Sequence, residues 1–174
     1  MLKFFRNQFG MIVSIIIALI LSLCMASVAT CRAATAANPV TVEWIIRNWG
    51  TAFLVIMLTS ILLPSKMWGD KLAEKLGLKQ GTLPFGLVSN LVPTFFYNTF
   101  ATLVMVGVNV GFGGMDVVAD GVVVAHVGYW ASVWADYLLM FVVSYVLSLV
   151  AERLGMLVAV KATIPQEDLT RSHV

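Results

Sequence analysis

FGLVSNLVPTFFYNTFATLVMVGVNV, residues 85–110, is the stretch on which the fold turns. It lies in a run from residue 81 to residue 115 that carries no charged side chain. A bilayer core about 30 Å thick takes roughly 20 apolar residues of helix to cross, so this stretch is long enough to span it. It is also the most polar of the candidate spans. Asn90, Thr94 and Asn98 recur every fourth residue, with Tyr97 beside them and Pro93 in the same turns. That spacing puts the three on one helical face, and such a face has a reason to avoid lipid. Pro93 also frees the carbonyl of Ser89, which then needs another donor.

The rest of the chain is apolar too. Its 174 residues are 60% hydrophobic and 11% charged, with a mean hydropathy of +0.92. Soluble domains run near a quarter charged, so a soluble fold could not cover its surface. The net charge of +2 is too small to imply nucleic acid, and no basic patch is interleaved with exposed aromatics. Cys24 and Cys31 would stand about 10.5 Å apart along a helix axis, beyond the reach of a disulfide. They read as small apolar residues of a packed helix.

Taken in order, the chain suggests an all-α membrane protein with spans at about 9–30, 46–65, 85–110 and 130–151. The uncharged run 11–29 exceeds the 7–15 residues of a signal-peptide core, so a retained first span is expected, with cleavage after the Ala-rich stretch as the alternative. Asn38-Pro39 signals a turn. Trp44 and Trp49 read as an interfacial belt, and Pro64 marks the far end of span two. In 66–79, KMWGDKLAEKLGLK, residues Trp68, Leu72, Ala73 and Leu76 share a helical face. That pattern suits a short helix lying on the membrane surface; a charged loop is the alternative. Residues 107–128 form a Gly-rich link of no clear pattern, and 161–174 a polar tail.

Of the 11 basic residues, all but Arg32 and Arg47 fall in the N-terminus, the 66–79 segment or the region after span four. The positive-inside rule then makes both termini cytoplasmic.

The halves 1–79 and 80–160 look alike. FGMIVS (9–14), Trp44 with Trp49 and LAEKLG (72–77) answer to FGLVS (85–89), Trp130 with Trp134 and VAERLG (150–155). Two hairpins that each return to the same side are related by an axis along the membrane normal. On Phe9 with Ser14, the small residues from 22 to 27, Trp44 with Trp49, and Pro64 before a basic segment, the chain resembles the bacterial family called domain of unknown function 2798. The resemblance covers most of 5–78 and part of 85–155, and half two departs from it in its longer Gly-rich link. It implies tandem two-helix hairpins in a bacterial inner membrane and no catalytic residues.

Two groups of residues stand out. Counting back from Glu152 places Asp136 about one turn inside the outer edge of span four, and counting from Lys66 places Arg47 at the outer edge of span two. A charge at that depth is normally paired or facing water. The expectation is an interfacial Arg47–Asp136 bridge between the hairpins, although Glu43 competes for Arg47; an ion or proton site is the alternative. Asn90, Thr94 and Asn98 beside Pro93 offer either a polar path or interhelical hydrogen bonds, with Ser14, Ser144 and Ser148 as partners. Asp116, Asp120 and His126 form a loosely spaced group in a Gly-rich context and read as polar side chains of a surface loop rather than a metal site. No cofactor or catalytic motif is expected. The expected partners are the lipid bilayer and a membrane protein or a second copy of the chain. The sequence therefore points to a small non-enzymatic membrane protein acting in assembly or as an accessory subunit, or else to a small transporter or channel with its path along the third span.

Overall fold

The structure, a computed structural model, describes residues 2–34, 39–119 and 122–163. Asn38, Asp120 and the tail beyond residue 163 lie outside these. The elements are α1 (Leu2–Ala33), α2 (Val42–Leu62), α3 (Ser65–Lys75), α4 (Leu83–Val110), β1 (Met115–Ala119), β2 (Val122–Val127) and α5 (Tyr129–Thr163). Four helices carry stretches long and apolar enough to cross a membrane: Phe9–Ala33, Val42–Leu62, Leu83–Val110 and Tyr129–Ala162.

Local chemistry sets the helix ends. The Thr41 hydroxyl accepts from the Trp44 N–H and starts α2, and the Thr82 hydroxyl accepts from the Phe85 N–H and starts α4. Pro84 stands in the first turn of α4, where its missing N–H does no harm. At the other end of α2, the residue before Pro64 is driven out of the helical region. Leu63 is extended, at φ −111° and ψ 124°, and the chain restarts as α3.

The helices form a ring in which α1 packs on α2 and α5, and α4 packs on α2 and α5, with α1 and α4 diagonally opposed. This is the arrangement a two-fold axis along the bundle would produce. The buried positions agree. With Phe9-Gly10 set on Phe85-Gly86, every buried residue described in α1 has a buried counterpart in α4: Ala18 and Thr94, Leu21 and Tyr97, Ser22 and Asn98, Met25 and Ala101, Ala26 and Thr102, Ala29 and Met105, Thr30 and Val106.

The halves diverge after their second helices. α3 doubles back onto α4, burying Ser65, Gly69 and Ala73, and sets Trp68 against Phe96 with ring centres 5.6 Å apart and planes tilted by 56°. In α5 no proline interrupts, and the helix runs straight to Thr163. Its own small residues Ala151, Gly155 and Ala159 are buried at the same four-residue spacing. Gly155 packs on Val13 of α1 as Gly69 packs on Ser89, the counterpart of Val13 in α4. By packing, therefore, Gly69 answers to Gly155 and Lys66 to Glu152. The LAEKLG and VAERLG segments do not occupy equivalent places: one closes α3, the other lies inside α5.

One expectation is met in part and two change. The helix expected within 66–79 forms as α3; Trp68, Leu72 and Leu76 of its apolar face stay exposed, while Ala73 turns with Ser65 and Gly69 toward α4, where only small residues allow the backbones to approach. Trp44 is not part of an exposed belt. It turns inward and donates its indole N–H to Asn109 Oδ1 at 2.8 Å, whereas Trp130 and Trp134 remain exposed. The Gly-rich link contains an antiparallel hairpin. Met115, Asp116 and Val117 pair with Val127, His126 and Ala125, and the register then shifts so that Val118 meets Val123 and Ala119 meets Val122. Val124 is the extra residue of this bulge.

A Cβ placed on Gly69 would stand 1.9 Å from the Ser89 carbonyl oxygen, the group that Pro93 leaves without its helical donor. Gly69→Ala should therefore push α3 off α4 and destabilise the protein by about 1–3 kcal/mol, the usual range for overpacking. Gly50→Ala, where nothing lies within 4 Å, should be neutral or stabilising. Thermal unfolding in mild detergent, with helicity as the signal, measures both.

Candidate functional site

All five helices contribute to one cavity of about 360 Å³ in the half of the bundle that holds α3. Its walls are apolar on α1, through Phe9, Val13 and Ile17, and mixed on α4, through Asn90, Pro93, Thr94 and Tyr97. Ser148, Glu152 and Met156 of α5 and Lys66 of α3 complete it. Three of the four residues singled out on the third span thus line one space; Asn98 does not.

Pro64 positions the charged rim. By ending α2 it places Lys66 in the first turn of α3, next to α4 and α5. The Lys66 ammonium lies 2.7 Å from Glu152 Oε1 and donates to Ser89 Oγ at 2.9 Å. It is 3.4 Å from Asn90 Oδ1 and 3.7 Å from Asp70. Asn90 Nδ2 donates to Glu152 Oε2 at 2.5 Å. Three helices are tied here by one ammonium, one carboxylate and one amide.

Deeper in, polar groups pair helix to helix. Thr94 and Ser148 share a hydrogen bond of 2.9 Å, so Ser148 is the partner on α5, while the Ser144 hydroxyl donates to its own helix at the Phe141 carbonyl. Asn98 Nδ2 donates to the Tyr137 carbonyl at 3.3 Å. Its Oδ1 is buried without a hydrogen-bond partner among the described residues. Three tyrosines that the sequence reading passed over seal the same seam. The hydroxyls of Tyr129 and Tyr145 donate to the carbonyls of Leu103 and Leu87, and the Tyr137 hydroxyl bonds Thr99. Their recurrence at every eighth position of α5 was the available signal. On the other seam, Asn48 donates to Thr30 and Trp49 to Ser22.

The polar row of α4 is not an open path. Ile17 borders the cavity and Met25 borders a fissure of about 40 Å³ on the far side. About 12 Å of α1 separates them. Ala18, Leu21, Ala52 and Ile56, all fully buried, and Met140 fill that interval.

The fissure reaches Asp136, whose partner corrects the sequence expectation. Asp136 Oδ1 lies 2.6 Å from Arg32 Nε, not beside Arg47. Helix α1 continues to Ala33, one turn past the expected end of its span, and α1 packs along α5; together these bring Arg32 to Asp136. Arg47 is exposed, lines a shallow polar hollow with Thr41, Glu43 and Asn109, and makes no ion pair among the described residues. Asp116 and His126 face each other across the β-hairpin at 2.7 Å, both exposed. No group of three or more His, Cys, Asp or Glu converges among the described residues. Cys24 and Cys31 are free.

In detergent, Arg32→Gln and Asp136→Asn should each lower stability, and the double change should cost less than their sum by about 0.5–1 kcal/mol, the scale for a partly exposed pair. Arg47→Gln combined with Asp136→Asn should be additive. Coupling of Asp136 to Arg47 instead of Arg32 would contradict the geometry.

Compared with protein-family models, with curated proteins and with solved structures, the chain matches none.

Proposed function

We propose that the chain is a small, non-enzymatic integral protein of a bacterial inner membrane that serves as an accessory or assembly subunit of a membrane complex. Its resemblance to the tandem-hairpin family supports the location, and the distribution of basic residues supports cytoplasmic termini. The observation that carries the role is the β1–β2 hairpin. It projects from the end of the bundle opposite Lys66, beside Arg32 and Trp44 at its base. Val118, Val122, Val123 and Val124 are all more than half exposed. A two-stranded hairpin is at best marginal alone in water, and both of its strands are free edges. Exposed apolar edges are surfaces for strand addition. A membrane protein that supplies a strand on the outer side would cover these valines. The closed interval of packed core between cavity and fissure favours this role over that of an open channel.

A photo-crosslinking residue at Val123 should give a discrete adduct with another membrane protein, and one at lipid-facing Leu54 should not. Only self-adducts would indicate a homo-oligomer, and no adduct would refute the accessory role. Replacing both Val118 and Val123 by Thr should change stability by less than about 0.5 kcal/mol, as for surface sites, yet reduce the adduct formed from a crosslinker at Val117. Reporter fusions at Gly77 should register the cytoplasm and insertions at Asn38 the exterior. The reverse would invert the topology.

A further inference from the structure

We propose that the cavity bordered by Lys66 and Glu152 binds a small zwitterion with an apolar body, its anionic group on Lys66 and its ammonium on Glu152. The site is independent of the hairpin and of its partner. Three observations carry it. The cavity, at about 360 Å³, falls in the 300–1,000 Å³ range of ligand sites. Its deep walls are apolar, from Val13, Ile17, Pro93 and Tyr97, and its charges are gathered at one rim. Both members of the ion pair border that space and neither is fully buried, with side-chain exposures of 45% for Lys66 and 21% for Glu152.

The pair itself selects the ligand class. An anion entering alone would draw Lys66 from Glu152 and leave a carboxylate without its counter-charge. A cation entering alone would strand the ammonium in the same way. Removing one partner of a partly desolvated pair is penalised because the other stays charged. A molecule with both charges exchanges partners with neither group left unpaired. Glu152 retains acceptor capacity, since an ionised carboxylate offers about four lone-pair sites and here receives Lys66 and Asn90. Hydroxyls of Ser14, Ser60 and Ser65 border the same space and can take further hydrogen bonds. Two sources present this chemistry: a free apolar α-amino acid, and a phospholipid whose headgroup pairs a primary ammonium with a phosphate.

The test uses the full chain in mild detergent and an isosteric set of probes: L-leucine with both charges, L-leucinamide with the cation only, and 4-methylpentanoate with the anion only. Dihexanoyl phosphatidylethanolamine and dihexanoyl phosphatidylcholine form a second set. Titration calorimetry should show saturable binding of leucine or of the ethanolamine lipid, and which one binds identifies the source. The single-charge probes, and the choline lipid, which has no ammonium N–H to donate, should bind at least tenfold more weakly. Lys66→Gln and Glu152→Gln should each weaken binding by tenfold or more, whereas Arg32→Gln, at the far end, should leave it unchanged. If the single variants fail to fold, the exchanged pair Lys66→Glu with Glu152→Lys keeps both charges and should still bind. Equal binding of a single-charge probe, binding that survives both single substitutions, loss of binding in a folded exchanged pair, or no saturable binding of either zwitterion would each overturn the proposal.

Discussion

A bilayer interior supplies no water to satisfy a polar group, and that constraint organises this bundle. α4 carries more buried polar side chains than its neighbours, and most of their donors and acceptors meet another helix. Asn90 and Thr94 reach Glu152 and Ser148, and Asn98 reaches the Tyr137 carbonyl. Tyrosines of α5 return bonds to the α4 backbone. Each contact is worth only about 0.6–2 kcal/mol, but the contacts are directional. They fix which faces of α4 and α5 meet, something apolar surfaces immersed in lipid cannot do alone.

The asymmetry between the halves follows from one residue. Pro64 ends α2, so the first half gains a separate helix that folds back on α4 and covers Ser89 and Pro93. The second half has no proline at the corresponding place, so α5 continues unbroken. Its small residues touch α1 at Val13, but Phe9, Ser14 and Ile17, the counterparts of buried Phe85, Asn90 and Pro93, remain only half covered. The cavity lies against that half-covered face. A near-symmetric ring thus acquires this cavity against α1 and no equivalent against α4, where α3 fills the place, because a repeat is broken by a proline in one copy.

What could be read in advance is what depends on local sequence. The four spans follow from apolar length, the end of α2 from Pro64, and the inward face of α4 from the four-residue spacing of Asn90, Thr94 and Asn98. The partner of Asp136 could not be read this way. It depends on one more turn of α1 and on α1 lying beside α5, and neither is encoded near residue 136. The similarity of LAEKLG to VAERLG pointed to the wrong pairing, since the packing equivalence runs through Gly69 and Gly155, about two helical turns away in register. The β-hairpin did have a signal. Asp120-Gly121 between two valine-rich runs is a hairpin sequence, masked by the glycines before it.

Among the described residues, two interhelical ion pairs sit at opposite ends of the apolar slab. Asp136 and Glu152 are about 24 Å apart along α5, and no charged residue lies between them. At those depths a charge is tolerated because water is near, and an interfacial pair contributes modestly to stability. The pairs differ in what surrounds them. Asp136 reaches a fissure of about 40 Å³, and Arg32 and Asp136 together border a space of about 410 Å³ at the base of the β-hairpin, walled in part by Met115 and Val127. Lys66 and Glu152 border about 360 Å³. Two bonds of similar length and similar exposure therefore both have space beside them, but the walls of those spaces differ. The space beside Arg32 and Asp136 belongs to the base of the hairpin, whereas the space beside Lys66 and Glu152 is enclosed by residues of all five helices, where either charge could take a new partner against an apolar wall.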